Sequence, residues 1–441
     1  MTKFQRGAVW VLFLLFVLLA AGALFARVGA GWYLGSERFR HQITRAVEEE
    51  LKAKGSFQPL HFNDGTFYSD GFSAQGQGRA FFSDLRADQI RAVVNWRGLL
   101  DHRWEIDELN IQNLEIRFAG RAPAEATPGA SAAKPLPPKP SSPWKLDLRQ
   151  AEIAQSSWHW GKTPETTGSL TKSAFTLTPS NGSWLVEAQS GTLNQSGWPA
   201  LTIESAKLRY TGASLFVTES ALRAGDGRIN VDGEIEFDRA ADLQVRLDKV
   251  DFSPFLPPDW RLRLHGKIAG TAKIHAPLPE GALRVEGDLQ LVDGHLEALP
   301  VLDQIATFTR TDRFRRVALT RGSLTFTNES DRTVVTNLVL ESEGLMRVEG
   351  GCTIAQNKIN GVFQIGVTSA SLQWLPGSQA RVFTVAHDGY FWTPVRVSGP
   401  IDHPHEDLTK RLIAAAANEL LENSRGNLED AAKALLELIP H

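Results

Sequence analysis

The densest group of side chains able to hold a metal or move a proton is His403-Pro404-His405-Glu406-Asp407. Two imidazoles and two carboxylates within five residues are the right types for a divalent cation. Pro404 sets the two histidines apart, however, and no second cluster in the chain closes a coordination shell, so the sequence disfavours a metal there. The single cysteine, Cys352, follows Gly350-Gly351 in a strand-like pattern and reads as a buried structural thiol rather than a nucleophile. In Trp158-His159-Trp160 the alternation of a strand sends both indoles to one face, where they either pin a ligand or pack as a core pair; the core reading is preferred. His387-Asp388-Gly389 reads as a polar turn, with no serine context that would make it part of a triad. No phosphate-binding P-loop, dinucleotide fingerprint, HExxH zinc motif or GxSxG elbow occurs. The expectation is a protein that is not an enzyme and uses no cofactor or metal. A hydrolase would have to assemble its site from distant residues.

Gly7 to Ala26 is an uncharged, mostly apolar run, preceded by Lys3 and Arg6 and followed by Arg27, Trp32 and Tyr33. As a helix it is about 30 Å long, enough to cross the hydrocarbon core of a bilayer. Ala21-Gly22-Ala23 also offers a cleavable signal-peptide site, but the length of the run and the Arg27 stop favour a retained anchor. Either way the rest of the chain is exported. The expected arrangement is a single-pass inner-membrane protein with a cytoplasmic amino terminus and a periplasmic body. Net charge is −3, from 47 basic and 50 acidic residues, so the sequence shows no electrostatic footprint for nucleic acid. One cysteine excludes an internal disulfide framework.

After the anchor, Ser36 to Lys54 has helical spacing, with Phe39, Ile43, Ala46, Val47 and Leu51 near one face and Lys54-Gly55 as the stop. Short strands follow: 61–67, 72–76, 89–95, 104–111 and 114–118. Residues 121–143, rich in Ala, Pro and Ser, read as a linker or a long disordered loop. From 144 to about 402 the pattern is strand after strand, separated by turn signals at 224–227, Asp293-Gly294, 328–330 and 357–361. The phrase apolar-x-Gly-x-apolar recurs around Gly233, Gly266, Gly287 and Gly399 and begins again at Gly350. Within a strand, glycine often marks a bulge, a bend or a close backbone approach; five unrelated hairpin glycines would read the same way. Residues 403–441 return to helical spacing in two stripes, Leu408 to Leu421 and Leu428 to Ile439. Their expected role is packing onto the end of the sheet, with contact to a partner or a membrane surface as the alternative.

The expected fold is therefore mainly β: an elongated, curled antiparallel or mixed sheet resembling a groove, with an amino-terminal transmembrane helix and carboxy-terminal amphipathic helices. The expected divisions are an anchor at 1–35, a helix-plus-β module at 36–120, the linker at 121–143, the groove at 144–402 and the helices at 403–441. A sheet with a continuous apolar face must cover that face or offer it. If it curls, Leu215, Val217, Val231, Ile235, Val245, Leu247, Val285, Leu289, Leu291, Phe363 and Ile365 line a trough for lipid tails.

Three passages carry a family resemblance. IDELNIQNLEIRF (106–118), with Leu109, Ile111, Leu114 and Ile116, is similar to the sentence that closes the amino-terminal module of AsmA-like proteins, relatives of TamB in diderm bacteria. LVLESEGLMRVEGGCTIAQNKINGVFQIGV (338–367) and VRVSGPIDHPHEDL (395–408) resemble their carboxy-terminal strands and helix. The resemblance implies an inner-membrane anchor, a periplasmic β-groove that takes phospholipid, a possible envelope protein partner, and a role in phospholipid transport or outer-membrane homeostasis. The alternative is a non-enzymatic structural or interaction β-protein of the cell envelope.

Overall fold

A computed structural model of the chain describes residues 36–77, 80, 82–95, 103–118, 145–164, 166–237, 239–277, 281–297, 306, 314–373 and 377–423. The expected anchor at 7–26, the segment 121–143 and the stripe from Leu428 to Ile439 lie outside them. No helix among the described residues is long and apolar enough to cross a membrane. The described chain is mainly β, with mixed pairing and few helices, and it divides into two compact units, residues 1–211 and 212–441.

The first unit opens with α1 (Glu37–Leu51). Ser36 caps it, its Oγ accepting from the Phe39 N–H at 3.4 Å, and Lys52 ends it in the left-handed conformation with φ 51°. The stop falls earlier than Lys54-Gly55 because Gly55 is needed elsewhere. It sits in β1 (Ala53–Phe57), where a Cβ would lie 2.7 Å from the Phe72 ring. β2 (Leu60–Asn63) and β3 (Thr66–Gly76) form a hairpin at Asp64-Gly65, so the expected strand 61–67 is two strands. β4 (Phe82–Asn95) and β5 (Arg103–Phe118) extend the antiparallel run.

β5 then pairs in parallel with β6 (Lys145–Leu148) and β7 (Ala151–Trp160). A parallel neighbour needs a connection of a dozen residues or more, and residues 119–144 supply that length. β8 (Gly168–Ser180), β9 (Ser183–Gln189), β10 (Thr192–Gln195) and β11 (Leu201–Tyr210) complete the unit with antiparallel ladders. Its core holds Phe72, Phe82, Ala87 and Ile116 under Val47 and Leu51 of α1, with Phe39 stacked on Phe67 at 5.5 Å.

The second unit is antiparallel throughout. Its main ladder runs through β12 (Ser214–Ala224), β13 (Gly227–Glu236), β14 (Ala240–Asp251), β15 (Leu264–Pro277), β16 (Arg284–Glu297), β18 (Arg321–Glu329), β19 (Arg332–Ser342), β20 (Met346–Ala355), β21 (Lys358–Thr368) and β23 (Tyr390–Pro400). Short strands β17 (Arg316–Ala318), β22 (Val385–His387) and β24 (His405–Glu406) pair along its margins. Asp293-Gly294, expected to be a turn, lies inside β16 instead. Asp293 has φ 52°, and the register there passes from Lys267↔Val292 to His265↔His295. The extra residue makes a bulge, which turn-type residues serve equally well.

Helical pieces α2 (Pro258–Arg261), α3 (Ser369–Leu372), α4 (Ser378–Arg381) and α5 (Leu408–Asn423) accompany the ladder. Leu408, Leu412 and Ala415 of α5 share one buried core with Leu296, Val317, Met346, Val367, Phe383 and Val395.

Candidate functional site: an apolar sheet face

Successive side chains of a strand point to opposite faces, so register decides which residues share a surface. In the second unit the register assembles cross-strand apolar rows. One row reads Leu215–Ile235–Ala241, and another Val231–Val245–Ala272. A third runs from Leu247 across Gly270 to Leu289 and Leu324. Further along, Leu340–Val348–Ile365 and Gly350–Phe363–Val395 continue the same face. Val217 stands opposite Gly233, Val285 opposite Ile274, and Leu291 opposite Ile268. Every residue expected to line a groove therefore belongs to these rows. Leu243, Ile274, Leu324, Phe326 and Val348 obey the same alternation and belong with them.

The expected lining residues are all half-buried; none belongs to the buried core. The other face of the same strands is charged and self-satisfied. Arg246 pairs with Asp232 at 2.9 Å, His275 with Asp242 at 2.5 Å, and the Thr325 hydroxyl donates to Asp288 at 2.7 Å. With Arg347 paired to Glu341 and Glu349 on the same reverse side, the sheet is amphipathic from β13 to β20. At about 4.8 Å between strands, ten strands extend about 43 Å.

Glycines cut notches in the apolar face. Gly233 has φ 142°, and a Cβ there would lie 2.2 Å from the Asp242 carbonyl oxygen. Gly350 has φ 150°, and its Cβ would meet the Val362 carbonyl oxygen at 2.5 Å. These two positions answer to the bend-or-close-approach reading of the recurrent phrase. Ile268-Ala-Gly270-Thr-Ala272 is another instance that the repeat should have included. The Phe363 ring lies over the space that side chains at Gly350 and Gly361 would take, at 3.1 and 3.0 Å.

The candidates for chemistry are spent on structure. The Glu406 carboxylate accepts the Leu408 and Thr409 N–H groups at 2.5 and 2.9 Å and caps α5. Asp407 accepts the Arg396 N–H at 3.0 Å. His405 lies against Gly399, and His403 stands 3.9 Å from Asp259. Among the described residues no group of three His, Cys, Asp or Glu could hold a metal ion. Asp388 and Gly389, both at positive φ, make the hairpin turn between β22 and β23. Cys352 faces the apolar rows between Val335 and Gly361, and burial pushes its thiol up. Tyr390 is likewise pushed up, first by burial and then by its 3.1 Å hydrogen bond to Glu341. The two indoles of the first unit part company. Trp158 stacks on Phe175 at 4.8 Å, whereas Trp160 lines a rim cleft and donates to Gln195 Oε1 at 3.0 Å.

Comparison of the chain with protein-family models, with curated proteins and with solved structures finds no match.

Proposed function

We propose that this chain is a membrane-anchored periplasmic protein of AsmA-like type that binds lipid and passes it along the apolar face of its second unit, serving phospholipid transport or outer-membrane homeostasis. The observation that carries this reading is a face of apolar rows from β12 to β21 whose expected lining residues stay half exposed, while the reverse side of β13 to β20 carries charged pairs. The sequence supports it with the apolar run at 7–26 and the three passages that resemble AsmA-like proteins. The role is non-enzymatic and needs no cofactor.

The energetics suit a conduit. A methylene buried from water gains about 0.8 kcal/mol, so an acyl chain strongly prefers this face to water. A bilayer interior is as apolar as leucine, however, so exchange between bilayer and protein is close to neutral. The face lowers the barrier to leaving a membrane without trapping the lipid. Its length of about 43 Å exceeds the roughly 15 Å half-thickness of a bilayer's hydrocarbon core.

Photo-crosslinking in cells tests this with the full chain. A photoreactive residue at 289 or 245 should label phospholipid, and one at 290 or 246, on the reverse face, should not. Leu289→Asp and Val245→Asp should abolish capture while leaving the fold intact. Labelling that ignores the face, or parent-like lipid capture by both folded variants, would sink the proposal and leave a displayed interaction protein as the reading.

A further inference from the structure

Most hairpins of the second unit are tight. Two or three residues join β12 to β13, β13 to β14, β18 to β19, β19 to β20 and β20 to β21, whereas residues 252–263 separate β14 from β15. A connection of that length is uncommon in a hairpin and usually has a task of its own. This connector is a small rigid body. It holds a 3₁₀ turn (Ser253–Phe255) and α2, and prolines at 254, 257 and 258 restrict its backbone. The Arg261 guanidinium donates to the Leu256 and Pro254 carbonyls at 2.8 and 3.2 Å, and Arg263 stands 5.9 Å from the centre of the Trp260 ring. Within 252–263 only Phe252 is buried, so the connector rests on the molecule instead of filling its core.

Its far contact lies at the opposite corner of the ladder. The Trp260 indole donates to the carbonyl of Ile401, 141 residues on, at 2.8 Å, and Asp259 faces His403 at 3.9 Å. Trp260 precedes the start of β15, whereas Ile401 follows the end of β23. The two strands stand six antiparallel steps apart and so run in the same sense. In a flat sheet six steps amount to about 29 Å, to which the length of β23 adds about 36 Å along the strand. Twist and curl close that gap. At about 20–25° per step, β23 is turned by about 120–150° against β15, which swings its end towards β15's start. The apolar side is the inner one, because Leu264 of β15 and Val397 of β23 pack against one core together with Val348 and Ile365 of the apolar rows. The connector thus ties two arms of a curled sheet across the mouth of its apolar side.

The tie is light. One neutral hydrogen bond fastens it, and the ion pair beside it is exposed at 79% and 42%, where such a pair contributes little. The bonds of Arg261 lie within the connector, so its shape survives release of the far end. We infer that residues 252–263 are a strap that fastens and releases the curl of the second unit, closing and opening its apolar side. That it thereby holds or admits an acyl chain rests on the lipid reading proposed above.

The test uses the full chain in phosphatidylcholine nanodiscs, carrying Cys352→Ala with Leu262→Cys and His403→Cys at exposed positions. Spin labels on the two new thiols should report a short and a long distance. Trp260→Phe, which lacks the donor, should raise the ratio of long to short about fivefold, the factor carried by one hydrogen bond. A reversible bis-thiosulfonate bridge between the same thiols should suppress phospholipid labelling by a photoreactive residue at 289, and reductant should restore it. The bridge carries the test by itself if Trp260→Phe fails to fold. A single short distance in the parent, or labelling at 289 that the bridge leaves unchanged, overturns the inference. Two distances with no labelling at 289 in any state remove the lipid reading and leave the strap standing.

Discussion

Two regions of the second unit are built from the same residue types and come out differently. At one end of the strands, Val317 and Phe383 are 1% and 0% exposed, packed with Met346, Val367 and Leu412. Across the middle of the ladder, Val231, Val245, Leu289 and Ile365 form equally apolar rows and remain half exposed. The packed end has partners from loops and helices: Leu372 from α3, Val382 and Phe383 beyond α4, and Leu408 and Leu412 from α5. Ile365 still packs against the edge of that core, whereas among the described residues the rows of Val231, Val245 and Leu289 have only one another. An apolar stripe is a core only where another element arrives to cover it; otherwise it stays a partly exposed surface.

Substitution should separate the two regions by magnitude. Phe383→Ala removes a fully buried ring and should cost about 3–5 kcal/mol of unfolding free energy. Chemical denaturation of the second unit's transition measures it, and a cost under about 1 kcal/mol would erase the distinction. Gly233→Ala should come next, at about 1–3 kcal/mol, because it forces a side chain into positive φ against a carbonyl oxygen. Leu289→Ala should cost only about 1 kcal/mol, since its side chain is half exposed already; a loss as large as that at Phe383 would make the face a closed core. Arg246→Ala, breaking an exposed ion pair on the reverse face, should stay within about 0.5 kcal/mol.

Alkaline pH sharpens the same contrast. Cys352 and Tyr390 both titrate higher in the fold than free in solution, so the native state holds their protons more tightly. Their contribution is complete below the ordinary thiol and phenol values, 9.0 and 10.0, and drains away as pH rises through the shifted ones. Thermal stability should therefore fall above about pH 9, and Cys352→Ala with Tyr390→Phe should flatten that fall. An unchanged slope in the double variant would assign the alkaline loss elsewhere.

Period-2 alternation was enough to read the β class and the residues of the open face, because strand geometry fixes sidedness residue by residue. Thus Val231, Val245 and Leu289 could be placed on one surface before any register was known. What alternation cannot report is coverage, which depends on distant elements such as α5 reaching Met346 and Val367. It also misread Asp293-Gly294, since a bulge and a turn demand the same positive φ. The rim cleft was visible only as Trp158-His159-Trp160. Nothing local announced that Arg117, from a strand paired in parallel across a long connection, would stand beside His159. The capping role of Glu406 was not legible either, because a helix cap and a ligand cluster use the same carboxylate; only its hydrogen bonds to α5 reveal the cap.

The second unit's ladder joins strands mostly to their immediate neighbours in the chain, each hairpin adding two antiparallel members with the same sidedness. Such a ladder is extensible. Inserting or deleting one hairpin between β13 and β21 leaves every other strand's inward and outward residues unchanged and alters the length of the apolar path by about 9.6 Å. The first unit has no such freedom, because its β5–β7 pairing is parallel and tied to one long crossover. Span can therefore drift by gene duplication within the second unit alone, lengthening or shortening the apolar face without redesigning its ends.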